Sequence, residues 1–342
     1  MGTAQSNDRA SPSTTLSRMA RIELHLGDNL EILPRFPDAS FALIYIDPPF
    51  NTGLRQEHER TRAVRDEQGG HVGFRGERYA RVKLGSRSFA DSFDDYLGFL
   101  EPRLVEARRL LTPTGSLFVH LDAREVHYVK VLLDALFGRA CFQNEIVWAY
   151  DYGARTRKRW PGKHDNILWY SKHPTKFTFD YAAIDRIPYL APELVGKEKA
   201  ARGKTPTDTW WNTIVSPTGK ERTGYPTQKP LAILERIVRV HSKPGERLLD
   251  FFAGSGTLGA AAARHGRDCV LVDSNPQALA VMRRRFADQE VSLVSLSALT
   301  SASGARRGSS TRKRAPPSVD SPTSIRPACS STAMRVSARP SP

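Results

Sequence analysis

In FALIYIDPPFNTG, residues 41–53, an aspartate closes an apolar run, and two prolines and a phenylalanine follow at once. Such a run reads as a strand buried on both faces. In open α/β sheets, ligands sit beyond the carboxyl ends of strands, and Asp47 stands at such an end. Pro48 and Pro49 have no N–H and a φ of about −65°, and Pro48 also restricts the residue before it. The expectation is a rigid edge whose carbonyls point outward with no claim on them inside the chain, and with the Phe50 ring alongside. An edge that offers only acceptors suits an exocyclic amine on a base. A carboxylate and a carbonyl can take its two hydrogens while its nitrogen attacks an electrophilic methyl group in line, and Phe50 can stack on the base. The gain is orientation and electrostatics. Asp47 need not take the proton before attack, because the amine loses it more readily once methylated and cationic. Read alone, the same tetrapeptide is also a stiff turn after a core strand.

A second constellation lies in LLDFFAGSGTLGAAAARHGRDCVLVDSN, residues 248–275. A strand stops at Asp250, Gly254, Gly256 and Gly259 form GxGxxG, and a helix begins. Glycines there let the backbone turn tightly and approach a ligand. The next strand ends 23 residues after Asp250, at Asp273, where a carboxylate can accept from ribose hydroxyls. GxGxxG alone is a weak signal, and a nicotinamide or flavin dinucleotide is the rival ligand. Against it, no second mononucleotide half follows, and an acid with two bulky aromatics precedes the glycines where a pyrophosphate needs small residues. An adenosine without phosphates, S-adenosylmethionine, fits better. Asp250 can engage its charged methionine end, and Phe251 and Phe252 can pack against it.

Alternating elements are expected to position both sites. Strands are read at 21–28, 41–47, 115–122, 144–150, 164–172, 245–250 and 267–273. Helices are read at 93–111, with Pro102 as a kink or restart, at 125–137 closed by Gly138, at 229–242, and after Gly256 and Asn275. Repeated strand–helix–strand units predict an α/β fold with a mostly parallel central sheet and helices on both faces. Two insertions, at about 54–92 and 151–228, interrupt the rhythm.

The 342 residues carry 51 Lys and Arg against 36 Asp and Glu, a net charge of +15, which favours a polyanionic partner. Residues 292–342, rich in Ser, Pro and Arg, carry +7 of this and have no apolar period, so they read as a disordered basic tail. Residues 1–20 read as a flexible leader and 21–291 as the catalytic domain. Three widely spaced cysteines, Cys141, Cys269 and Cys329, read as free thiols, with no metal site expected. No run of about 18 apolar residues is present, so no membrane partner is expected.

Together these residues resemble the amino-methylating DNA methyltransferases, which modify N6 of adenine or N4 of cytosine. DPPF matches the family's [DNS]PP[YFW] tetrapeptide, and DFFAGSGT its FxGxG cofactor motif. The tetrapeptide precedes the cofactor motif, as in the circularly permuted beta group, and the resemblance spans roughly 21–288. It implies a Rossmann-like S-adenosylmethionine-dependent methyltransferase fold with DNA-recognition insertions. By position it implies that Asp47, Pro48, Pro49 and Phe50 hold a flipped base. Phe252, Gly254, Gly256 and Asp273 then line the cofactor pocket, with Asp250, Phe251 and Thr257 beside them. Asp28 falls near the cofactor's adenine, and Lys229, in TQKP, on the helix supporting its methionine end. A tetrapeptide beginning with Asp implies adenine N6, with cytosine N4 as the alternative.

The implied partner is double-stranded DNA, in a bacterial cytoplasm and beside the nucleoid. The chemistry then needs base flipping. Arg155, Arg157, Lys158, Arg159 and Lys163, with Trp160 among them, are the candidate DNA contacts. The stretch 55–87 adds eight Arg and one Lys against five acids. Target recognition is expected mainly within about 173–224, where Trp210 and Trp211 also read as core. His164 and His173 read as packing or surface histidines. A homodimer and a separate restriction endonuclease stand as candidate partners, and no nuclease motif is seen in this chain. An RNA amino-methyltransferase, a non-catalytic DNA-binding module and a dehydrogenase are the competing functions.

Overall fold

The computed structural model describes residues 20–51, 54–65, 71–72, 78–91, 93, 95–153 and 155–294. The expected leader and tail lie outside these residues, apart from residues 20 and 292–294.

The chain opens with β1 (Arg21–Leu26), α1 (Asn29–Ile32) and β2 (Phe41–Ile46). The first insertion supplies β3 (Leu54–Arg65), β4 (His71–Val72) and β5 (Arg78–Asp91). There follow α2 (Tyr96–Leu110), β6 (Leu111–Leu121), α3 (Val126–Phe137), β7 (Phe142–Ala149) and β8 (His164–Ser171). The second insertion holds α4 (Lys197–Arg202) and β9 (Thr209–Trp211). The remainder is α5 (Leu231–His241), β10 (Arg247–Asp250), α6 (Thr257–Arg264), β11 (Asp268–Asp273), α7 (Pro276–Arg285) and β12 (Glu290–Val294).

Nine strands form one sheet in the order β12-β1-β11-β10-β2-β6-β8-β7-β9. Every neighbouring pair is parallel except β6/β8 and β8/β7, so β8 alone runs against the rest. All six residues of β2 are buried, as a strand covered on both faces requires. Ile44 and Ile46 pack with Leu100, Leu104 and Leu133 of α2 and α3. Leu43 and Tyr45 pack on the other face with Leu234 and Ile237 of α5 and Leu258 of α6. This alternation sets up the site, because Asp47 continues the face of Leu43 and Tyr45.

Four expectations change. The helix expected over 93–111 runs unbroken through Pro102 from Tyr96 to Leu110. A mid-helix proline costs roughly 3 kcal/mol, and burial of Tyr96, Leu100, Leu104, Ala107 and Leu110 offsets it. The first insertion is a separate antiparallel sheet, β3-β5-β4. β3 and β5 pair from Leu54↔Asp91 to Arg65↔Tyr79, so this arm leaves and rejoins the chain just after the tetrapeptide. β12 crosses the expected domain boundary at 291 and pairs in parallel with β1. Part of the second insertion joins the main sheet, because β9 pairs with β7.

Trp210 is buried there, whereas Trp211 is exposed. His164 is exposed at the start of β8, and His173 Nδ1 accepts from the Thr175 and Lys176 amides at 3.2 Å. Cys141 and Cys269 are buried free thiols.

One buried histidine predicts an acid response. His241 is enclosed by Trp169, Phe118 and Phe179, with ring centroids 4.4–5.3 Å away, and its Nδ1 has no partner. Burial pushes it down from 6.5 to about 3. The unfolded chain protonates this ring near 6.5 while the native state resists, so stability is lost as pH falls from there toward 3. The slope is about 1.4 kcal/mol per pH unit. His241→Leu is expected to flatten it. Urea unfolding at pH 7 and pH 5 reads the difference, and equal slopes in both proteins would refute the assignment.

Candidate active site

The register aligns the strand ends. Leu26 pairs with Asp273, Asp250 with Leu271, Leu249 with Ile44 and Ile46 with Val119. Asp250, Asp273 and Asp47 therefore reach one edge, around a cavity of about 430 Å³. This lies within the range of small-molecule sites, about 300–1,000 Å³. Its wall includes Asp47, Pro48, Pro49 and Phe50 together with Asp28, Lys229, Asp250, Phe251, Phe252, Gly254, Thr257 and Asp273. Two motifs about 200 residues apart in the chain thus share one cavity.

The Lys229 ammonium donates to both Asp47 carboxylate oxygens, at 2.8 and 2.6 Å, and stands 4.8 Å from the centre of the Phe50 ring. Lys229 is buried immediately before α5, on the sheet face that Asp47 shares. The sequence expectation set it beside the cofactor's methionine end; its observed partner is the tetrapeptide. Charge-assisted bonds of this length are the strong kind, and each carboxylate oxygen keeps a second lone pair for a substrate N–H.

The two proline carbonyls are not equivalent. The Tyr96 hydroxyl, from the first turn of α2, donates to the Pro49 carbonyl at 2.7 Å. The expectation that both carbonyls lack an intrachain claim therefore fails at Pro49. Asn51 holds the other end of the turn at φ +53°, a conformation asparagine tolerates. Its side chain donates to Glu125 at 2.8 Å and accepts the Phe93 amide at 3.0 Å.

The glycine loop is equally constrained. Gly254 and Gly256 have φ of +50° and +73°. A Cβ at Gly254 would lie 3.1 Å from the Tyr225 ring, and one at Gly256 2.9 Å from Met282. Asp273 clamps the loop by accepting the Gly254 amide at 2.7 Å and the Asn275 amide at 2.8 Å. Thr257 opens α6 and is buried, with the Arg285 guanidinium donating to its hydroxyl at 3.2 Å.

Phe251 and Phe252 differ in exposure. Phe251 is 1% exposed and packs in the core, while half-buried Phe252 lies 6.0 Å from the Phe99 ring at the cavity wall. Both line the cavity, and their ring centroids lie 5.3 Å apart. Asp28 caps α1 through the Leu30 amide at 2.9 Å and pairs with Arg103 at 3.3 Å. Arg103 also donates to Asn29 at 2.6 Å, and Asn29 to the Phe251 carbonyl at 2.9 Å. Arg103 and Asn29 went unread in the sequence, since each looks like an ordinary helix residue.

Asp250 is buried at the cavity wall. Burial drives its carboxyl well above the usual range; the Phe252 amide, at 3.0 Å, pulls it down, nearby Asp47 and Asp273 add to the rise, and the nearby Lys229 charge lowers it. Burial raises Asp273 as well, against the Asn275 and Gly254 amides. Four carboxyl groups, Asp28, Asp47, Asp250 and Asp273, line the cavity against two cationic side chains, Arg103 and Lys229, an excess that fits a ligand with positive charge, as a sulfonium and an α-ammonium provide. Among the described residues no group of three or more His, Cys, Asp or Glu is arranged to hold a metal ion.

The candidate DNA contacts lie apart from this cavity, on the loop joining β7 to β8. Because β8 is antiparallel, with His120↔Ile167 and Ala149↔His164, that loop opens at the same sheet edge as Asp47. Arg155, Arg157, Lys158, Arg159 and Trp160 are exposed, and Lys163 is half-buried, donating to the Gly153 carbonyl at 3.1 Å.

Residues 41–284 match the N6/N4 family model described as DNA methylase. The chain is 32% identical over 257 residues to the type II methyltransferase M.HpaI of Haemophilus parainfluenzae, across 75% of this chain and 71% of that one. It is 28% identical over 286 residues to the DNA adenine methyltransferase YhdJ of Escherichia coli K12, across 80% and 85%. The solved PvuII DNA methyltransferase, cytosine-N4-specific, has a TM-score of 0.54 at 18% identity, covering 80% of this chain and 89% of that one. At that identity the likeness is one of fold.

Proposed function

The chain belongs to the N6/N4 DNA methylase family, and on that premise we propose that it methylates N6 of adenine in double-stranded DNA at a specific site. The observation that carries this reading is the single cavity lined by both Asp47-Pro48-Pro49-Phe50 and the Asp250–Thr257 loop. S-adenosylmethionine is the cofactor, and when bound it supplies an electrophilic methyl group. Asp250 would hold its ammonium, Asp273 would accept from its ribose hydroxyls, and Phe252 would pack against it.

The target base leaves the stack and lies against Phe50. Asp47 and the Pro48 carbonyl accept the two hydrogens of its amine, which orients the nitrogen lone pair for in-line attack. Lys229 keeps the Asp47 carboxylate from rotating. Tyr96 holds Pro49, so the edge is rigid before the base arrives and little reorganisation remains. The proton leaves after methyl transfer, when the nitrogen is cationic, to the Asp47 carboxylate that already accepts from it and from there to solvent. Arg155, Arg157, Lys158, Arg159 and Lys163 neutralise phosphates and position the duplex, contacts that fix register without reading sequence.

Adenine is favoured because the tetrapeptide begins with Asp and because the relative YhdJ is a DNA adenine methyltransferase. Cytosine N4 is the second reading, because its exocyclic amine presents a similar pair of hydrogens to Asp47 and the Pro48 carbonyl. The test incubates the purified chain with labelled S-adenosylmethionine and unmethylated genomic DNA, then analyses the nucleosides. Labelled N6-methyladenine is expected. N4-methylcytosine would overturn the base assignment, and label in a parallel reaction on RNA with none in DNA would overturn the substrate class.

Asp250 adds a pH signature. Its carboxyl is raised in the free protein by burial, and a cation placed beside it draws the carboxyl back down. Binding of S-adenosylmethionine is therefore expected to release a proton and to tighten as pH rises, by up to about tenfold per unit. Calorimetry in buffers of different ionisation enthalpy measures that proton. Asp250→Asn should bind at least tenfold more weakly and release none. Proton release unchanged by the substitution would refute the assignment.

A further inference from the structure

A buried chain of polar contacts leaves the cavity and runs toward the basic loop. The Tyr45 hydroxyl lies 2.7 Å from His120 Nδ1, and His120 Nε2 lies 3.1 Å from Asp165 Oδ2. The Tyr150 hydroxyl donates to Asp165 Oδ1 at 3.1 Å. Tyr45, His120 and Asp165 are 2%, 0% and 8% exposed, so water takes almost no part. Burial pushes the Asp165 carboxyl up, but the His120 hydrogen bond and charge, the Lys229 charge and the Tyr150 hydroxyl outweigh it and hold Asp165 low. An ionised carboxylate only accepts, so His120 carries a hydrogen on Nε2, and its Nδ1 shares a hydrogen bond with the Tyr45 hydroxyl. Every member is satisfied, the condition under which a buried polar network rigidifies its surroundings.

The placement of this network is specific. Tyr45 lines the cavity two residues before Asp47. The His120 ring lies 6.0 Å from Phe50 on one side, and the edge of Trp148 closes the other at 5.5 Å. Tyr150 and Asp165 stand at the two ends of the basic loop, which the Tyr150 amide closes on the Lys163 carbonyl at 2.9 Å. The side chains at the loop's ends are therefore those that fix the ring against which Phe50 rests. Apolar residues could join these strands without burying a carboxylate, so strand cohesion alone does not explain the network.

We infer that the Tyr150–Asp165–His120–Tyr45 chain couples the seating of the basic loop on DNA to the placement of Phe50 beside Asp47, with His120 as a positioning residue. This coupling rests on the DNA-methylation reading above. A loop held off the duplex leaves Phe50 without its backing ring in the register the base needs, so the network acts on turnover and not on cofactor affinity.

The test uses the full chain with unmethylated genomic DNA and S-adenosylmethionine. His120→Gln, Asp165→Asn and Tyr150→Phe are each expected to lower kcat at least tenfold. KM for DNA and Kd for the cofactor should stay within about twofold. Arg157→Ala combined with Lys158→Ala should lower kcat and raise KM. Adding His120→Gln to that pair should lower kcat no further, because one coupling cannot be broken twice. A network serving only stability would move the melting temperature, and its kcat losses would multiply. Tyr150→Phe, at a half-buried hydroxyl, keeps the test alive if a buried variant fails to fold. Unchanged kcat in Tyr150→Phe and His120→Gln, or strictly multiplicative losses, would overturn the coupling while leaving DNA methylation standing. An unaltered chain that labels no DNA would overturn both.

Discussion

Asp47→Ala should reduce methyl transfer to DNA by at least ~10³-fold, while S-adenosylmethionine binds within a few-fold of the unaltered chain. The substitution removes a preorganised acceptor aimed at the reacting amine, and losses of one such group run at about 10²–10³-fold. Here the loss is larger, because the same carboxylate also holds the Lys229 ammonium at 2.6–2.8 Å. That buried cation then faces an empty wall, and breaking such a pair costs about 3–5 kcal/mol. Lower stability is therefore expected as well, and the melting temperature must be measured beside activity. Asp47→Asn separates the two effects. Its amide oxygen still accepts one hydrogen bond and fills the same volume, so a loss of about 10–100-fold is expected with cofactor binding intact. Label in DNA at the unaltered rate from Asp47→Ala would refute the role given to Asp47.

Lys229→Met carries the second largest effect and decides between two roles for the lysine. Methionine keeps the length and the apolar stem and removes the charge. If Lys229 serves Asp47, kcat falls about 10²-fold and Kd for the cofactor changes less than fivefold. The carboxylate then loses its orientation, and the Phe50 ring loses a cation 4.8 Å from its centre. If Lys229 serves the methionine end instead, as the TQKP motif alone suggests, Kd rises and saturating cofactor restores kcat. The bidentate contact favours the first outcome. Lys229→Arg should not rescue, since a planar guanidinium cannot occupy the space of an ammionium buried against an aromatic face. Steady-state kinetics with cofactor binding by calorimetry give both numbers.

Much of this site is legible in the sequence alone. DPPF after an apolar strand, and GxGxxG between Asp250 and Asp273, are local patterns whose backbone demands can be read from residue type. Proline fixes φ, glycine permits the left-handed region, and a continuous apolar run marks a strand covered on both faces. Alternating strands and helices made a parallel sheet the economical architecture, and the order of the two motifs matched the permuted group.

Tertiary structure decided what no local pattern encodes. Lys229 meets Asp47 because β2 and the start of α5 share a sheet face, although 182 residues separate them. Tyr96 takes the Pro49 carbonyl, and Arg103 and Asn29 tie Asp28 to the Phe251 carbonyl. The Tyr45–His120–Asp165 network exists only because β2, β6 and β8 lie side by side, with β8 reversed. Sequence thus determined the chemistry that each motif can offer, because that follows from side-chain type and backbone restriction. The partners that each group meets were settled by strand order and register, which depend on long-range packing that residue types alone do not specify.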